Sequence, residues 1–177
     1  MKRTCAAILF LLTVLFLTAC GGKSIDLDDG PQYYEGKISD TMNTYFFDFT
    51  VNSASMTDTY GDITLEEDSF LVTSITVKNT TDKTITMYDT DFQAQWDEDS
   101  EDAYRLPITY EYEDGLIDTM RQLPSEYDLL AGESKTGELV FIVPENRKEY
   151  SISYQELLID NDGKELEGDV FFVFFKP

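Results

Sequence analysis

Histidine is absent from all 177 residues. That removes Ser-His-Asp and Cys-His catalysis and the imidazole ligands of the usual zinc and copper sites. Cysteine is nearly absent too: only Cys5 and Cys20 occur, so whatever follows Cys20 folds without an internal disulfide. Exported domains rely on disulfides when they are too small to bury a core, and a domain of about 145 residues is large enough without them. Basic residues are scarce, 13 against 35 acidic ones, for a formal charge of −22. A surface of that sign repels polyanions, which excludes DNA and RNA as partners. High charge with few apolar residues would mean disorder, but 12 Phe and 11 Tyr supply a core.

The one long apolar run is N-terminal. Lys2 and Arg3 precede Ala6 to Leu17, which is broken only by Thr13 and followed by the small residues Thr18 and Ala19. That is the layout of a secretory signal, and a run of about a dozen residues is short of the about 20 that span a bilayer. Leu17-Thr18-Ala19-Cys20-Gly21 resembles the lipobox of bacterial lipoproteins. The resemblance implies cleavage before Cys20 and a diacylglycerol on its sulfur, a membrane partner engaged through that lipid. Two acyl chains anchor stably where one is marginal. Loss of Lys2 and Arg3 takes the side-chain balance from −22 to −24. The reading is a signal peptide at 1–19, a lipidated flexible acidic tether at 20–40, and one domain at 41–177.

Within that domain the hydrophobic period is two. Tyr45, Phe47, Phe49 and Val51 alternate with Phe46, Asp48, Thr50 and Asn52, and Phe92, Ala94 and Trp96 with Gln93, Gln95 and Asp97, as half-buried strands do. Phe70 to Val77, the turn cluster Asn79 to Lys83, and Ile85 with Met87 read as a hairpin, and Tyr104 to Ile108 as a partner for Phe92 to Trp96. Further strands are expected at Gly137 to Val143 and Tyr150 to Ile159, then a turn at Asp160 to Gly163 with Gly163 at positive φ. Val170 to Phe175, apolar on both faces, reads as an interior strand. Leu116 to Gln122 is the one candidate for a helical turn or two. Seven or more short strands with little helix predict an all-β, immunoglobulin-like two-sheet antiparallel β-sandwich with at most one short helix.

Phe70 to Lys83, Asp91-Phe92, Leu130-Ala131-Gly132-Glu133 and Thr136 to Pro144 together resemble the Ig-like lipoprotein domains of Gram-positive bacteria known as domain of unknown function 4352. The resemblance implies an immunoglobulin-like sandwich on a lipoprotein, held at the extracytoplasmic side of a Gram-positive cell membrane, and carries over no catalytic residues. The acidic insert Asp97 to Asp102 departs from it.

Gly132-Glu133-Ser134-Lys135-Thr136-Gly137 superficially matches two motifs and satisfies neither. A phosphate loop needs Lys and Ser or Thr after the second Gly, where Glu138 and Leu139 stand; a nucleophile elbow needs Gly at 136. Calcium is the sharper expectation, because Asp97, Glu98, Asp99, Glu101 and Asp102 crowd five carboxylates into six residues, and Ca²⁺ takes six to eight oxygen ligands. Asp97, Asp99, Glu101 and Asp102 are the candidate ligands; the segment lacks the Gly and the terminal bidentate Glu of an EF-hand loop. Tyr33, Tyr34, Tyr110, Tyr112 and Tyr127 lie outside the clearest strands as candidates for a carbohydrate or protein contact. The expected function is non-enzymatic: a cell-envelope lipoprotein whose Ig-like domain binds an envelope or extracellular protein or a surface ligand. A Ca²⁺-dependent adhesion or sensing module and an envelope hydrolase are the alternatives.

Overall fold

The computed structural model describes residues 30–100, 102–111, 118, 120–159 and 162–176. The alternating segments become strands that face each other as two sheets. One sheet has five strands: β1 (Tyr33–Lys37), β13 (Glu165–Phe175), β12 (Tyr150–Ile159), β8 (Phe92–Trp96) and β9 (Tyr104–Arg105), side by side in that order. The other has four, in the order β11 (Ser134–Pro144), β6 (Asp68–Asn79), β3 (Phe47–Thr57) and β2 (Thr41–Asn43). Two small pairs complete it, β4 (Thr59–Tyr60) with β5 (Ile63–Thr64), and β7 (Ile85–Tyr88) with β10 (Glu126–Leu129). This is the expected immunoglobulin-like sandwich, and its one α-helix among the described residues, α1 (Ile108–Glu111), is a single turn.

The inward positions of each strand meet in one core. Phe47, Phe49 and Val51 of β3 are buried, and so, from the opposite sheet, are Phe92, Ala94 and Trp96 of β8, Ile152 of β12, and Phe171 and Val173 of β13. Rings bridge the sheets: Phe49 lies 5.3 Å from Phe92 and Phe47 lies 4.8 Å from Tyr154, centroid to centroid. Each such pair contributes about 0.5–1.5 kcal/mol beyond its buried area, so the aromatic cluster fastens the two layers where a disulfide is absent. A second, smaller core of Tyr60, Phe70, Ile108 and Val140 lies on the far side of β6 and β11.

Val170 to Phe175 is an interior strand between β1 and β12, and Gly163 has φ +80°, as the sequence predicts. Three expectations change. Residues 33–37, assigned to the tether, form edge strand β1, which runs parallel to β13 with Tyr33 beside Val170 and Lys37 beside Phe174; among the described residues the other paired strands are antiparallel. Its side chains are almost all exposed, so no buried period marks it in the sequence. β6 and β7 do not form a hairpin: β6 pairs with β11 and β3, and β7 pairs with β10. The helical turn sits at 108–111; of Leu116 to Gln122, residues 116, 117 and 119 lie outside the described residues and 120–121 form a turn.

The cause of the β6 to β7 change is Asn79. Its side chain is fully buried; Nδ2 donates to the carbonyls of Lys83, Leu129 and Leu130 at 2.6, 3.0 and 3.1 Å, and Oδ1 accepts from the Thr81 N–H at 2.8 Å. The turn after β6 is thereby tied to the end of β10, and β7 is laid against β10 rather than folded back on β6.

Candidate binding groove

β8 begins at Phe92, which stands opposite Tyr154. β12 runs on for five more residues, Gln155 to Ile159, paired with β13 on one side. Among the described residues no strand pairs with that stretch on its other side. A groove of about 370 Å³ lies there, lined by Phe46, Ile85, Met87, Asp91, Tyr154 and Leu157 among others. That volume is within the usual range of ligand sites, which are mostly apolar with few polar groups. Asp91 is the one charged side chain among its lining residues.

Two devices shape the groove. β13 carries an extra residue where Gln155 pairs with Val170 but Leu157 pairs with Glu167, a β-bulge that bends the strand away. Gly168 sits in it because a Cβ there would come within 2.7 Å of the Glu156 Cβ. Glu156 is buried, and its Oε1 accepts the Tyr45 N–H at 2.5 Å, which holds the 44–47 loop and hence Phe46 against the groove. Beyond the bulge, Leu157 and Ile159 project outward, 62% and 73% exposed.

Behind the groove lies a buried polar cluster. Asp89 is 1% exposed; its Oδ2 accepts the Thr109 hydroxyl, while Oδ1 and the Tyr127 hydroxyl are buried without hydrogen-bond partners among the described residues. Burial pushes the Asp89 carboxyl above the usual range, against the bonds it accepts from Thr109 and the backbone. Burial also raises Asp91, opposed by the Tyr88 N–H at 2.8 Å and reinforced by the charge of Asp89. Tyr127 and Tyr154 are both raised, first by burial and then by neighbouring carboxylates. Hydrolysis of a glycoside needs two carboxyl groups flanking the bond; among the described lining residues the groove offers Asp91 alone.

The acidic insert is fastened elsewhere. Asp97 Oδ1 accepts the N–H groups of Lys148 and Glu149 at 3.0 and 3.4 Å. Desolvation acts to raise its carboxyl, and the N–H groups of Lys148, Glu149 and Asp97 itself, with the Lys148 charge, together outweigh it, so the group lies below the usual range. Glu98 accepts the Trp96 indole N–H at 2.9 Å and pairs with Arg147 at 2.8 Å. Asp99 and Asp102 are exposed, and Glu101 lies outside the described residues, as do Cys20 and Tyr112. Among the described residues no group of three or more acidic side chains is placed to hold a metal ion. Of the Gly132 to Gly137 segment, Gly132 lies in a turn at φ +74°, and Ser134 to Gly137 are already the first residues of β11. Of the tyrosines, Tyr33 and Tyr110 are 71% and 68% exposed, whereas Tyr127 closes the core under the Lys135 ammonium, 5.4 Å from its ring. Sequence reasoning missed the groove altogether; the paired apolar residues Leu157 and Ile159 on alternating positions were its one visible trace.

A family model, Domain of unknown function (DUF4352), matches residues 36–164. The chain belongs to this family. No curated protein matches it. Among solved structures, the DUF4352 chain is similar to the proposed lipoprotein ycdA of Bacillus subtilis, with 18% identity and TM-score 0.52, over 77% of this chain and 38% of that one. It thus spans well under half the length of that protein. It is also similar to the yjhA protein of the same organism, at 20% identity and TM-score 0.50 over 75% of this chain and 97% of the other. The secreted protein MPT63 of Mycobacterium tuberculosis matches at 13% identity and TM-score 0.50, over 81% and 96%. At these identities the likeness is one of fold. No helix among the described residues is long and apolar enough to cross a membrane.

Proposed function

We propose that this DUF4352 chain is a lipoprotein of the cell envelope, anchored through Cys20, whose non-enzymatic domain binds a protein or surface ligand in the groove beside β12. The groove carries the reading. A −22 protein that must stay soluble at an anionic surface has no structural need to hold Leu157 and Ile159 in water beside an open apolar cleft, and exposed apolar surface rimmed by polar residues marks contact sites. The lipobox residues at 17–21 supply the address. The proposed lipoprotein and the secreted protein among its structural neighbours are consistent with an extracytoplasmic setting.

The test is photo-crosslinking in growing cells with benzoylphenylalanine at Leu157 and, as control, at exposed Asn52 on the opposite sheet. A discrete adduct from position 157 and none from position 52 is expected. Equal adducts from both positions, or none from 157, would remove the groove as the binding surface.

A further inference from the structure

The groove occupies the place that further residues of β8 would have filled. β8 stops being paired at Phe92 opposite Tyr154, and the groove is lined by both inward Tyr154 and outward Gln155 and Leu157 of β12, so it opens on the backbone edge of that strand. Strand edges with exposed apolar side chains template pairing with another chain unless covered or charged. Here the outward positions 157 and 159 are Leu and Ile rather than Lys.

We propose, building on the groove as the binding surface, that its occupant is an extended basic segment of a partner protein, added as a strand along residues 155–159. Main-chain hydrogen bonds would then give affinity, and pockets for alternate side chains would give specificity. Five residues span about 17 Å, enough for a partner strand of similar length. On its outer face the added strand lies beside Leu157 and Ile159; its inward side chains enter the cleft between β12 and β7, against Met87, Ile85 and Tyr154. The sign of its charge follows from the walls. Asp91 is the charged lining residue at the end where β8 begins, and the chain as a whole carries −22. A second copy of this chain would bring the same charge to the same edge and is repelled.

The probes are three capped hexapeptides: Lys-Val-Lys-Val-Lys-Val, Glu-Val-Glu-Val-Glu-Val, and the first with every backbone amide N-methylated, which keeps its charge and blocks pairing on both edges. Hydrogen exchange read by mass spectrometry is followed on the full chain in detergent at 0.15 M salt. The lysine peptide is expected to slow exchange across 155–159 and 85–88 and to bind at least about tenfold more tightly than the glutamate peptide. Asp91→Asn should weaken it about fivefold, and the N-methylated peptide should give no protection at 155–159. Equal protection by the N-methylated peptide would reduce the effect to charge attraction and overturn strand addition. Protection at 155–159 that rises with protein concentration and needs no peptide would make the occupant a second copy, and overturns the proposal too. A crosslink from position 157 with all peptides inert would leave the groove as a binding surface and discard the basic strand. Failure of both would discard the two together.

Discussion

Replacing Asn79 should unfasten the wall of the groove that β7 forms. In Asn79→Ala the carbonyls of Lys83, Leu129 and Leu130 lose their donor and the Thr81 N–H loses its acceptor. Nδ2 has two hydrogens shared among three acceptors, so about two donor bonds and one acceptor bond vanish, in a place where an orphaned buried group costs about 1–3 kcal/mol. Allowing for water reaching the Lys83 carbonyl, the loss is about 3–5 kcal/mol, a fall in Tm on the order of 10–15 °C for a domain of this size. Asn79→Asp separates this network from simple packing. It retains the shape and the bond from Thr81 but aims a carboxylate oxygen at three carbonyl oxygens, which raises its folded-state pKa above the unfolded value of about 3.9. A raised carboxyl binds its proton more tightly in the folded state. The penalty is therefore full above the folded pKa and shrinks as pH falls through it toward about 3.9. Melting followed by circular dichroism at pH 8 and pH 5 on the native protein and both variants is the assay. A fall of under about 2 °C for Asn79→Ala, or an Asn79→Asp deficit that does not shrink on acidification, would refute the role given to this side chain.

Gly168→Ala should force a Cβ into the Glu156 side chain at 2.7 Å, releasing the Tyr45 N–H and lowering Tm by several degrees, with faster amide exchange at 44–47; unchanged exchange there would contradict the coupling. Asp89→Asn retains an acceptor for Thr109 and removes a desolvated charge. Because burial raises the native carboxyl, its cost is present above the folded pKa and fades as pH falls below it, so the variant should gain Tm at pH 8 and lose that gain toward pH 4. A constant difference across that range would mean that folding does not raise the Asp89 carboxyl and would refute this reading. With Asp97 engaged by Lys148 and Glu149 and Glu98 by Trp96 and Arg147, Ca²⁺ and Mg²⁺ should shift Tm by the same small, unsaturating amount at fixed ionic strength. A saturable rise specific to Ca²⁺ and lost on replacing Asp97, Asp99 and Asp102 by Asn would restore the acidic loop as a metal site.

The period-two segments were legible because one face of each strand is buried: Tyr150 to Ile159 matches β12 to the residue, and Tyr104 does pair beside Gln95. β1 was not legible, since its pairing with β13 leaves its side chains exposed and without alternation. The partner of β7 depends on one buried amide reaching about fifty residues along the chain to Leu129, a bond that no local pattern encodes. The groove is hidden for the same reason. It is a gap where β8 is shorter than β12, opened by a bulge at Gly168 and walled by residues from three distant segments. The acidic loop, conspicuous in the sequence, has two of its carboxylates engaged in fastening a turn to the start of β12.

The account rests on the domain being presented outside the cell on a lipid, and mass spectrometry of the N-terminus isolated from membranes tests this most directly. The predicted result is a chain that begins at Cys20 with a diacylglycerol on sulfur, and a Cys20→Ala form that leaves the membrane fraction. An unmodified Cys20, or Cys20→Ala protein that stays with the membrane as the native chain does, would contradict it.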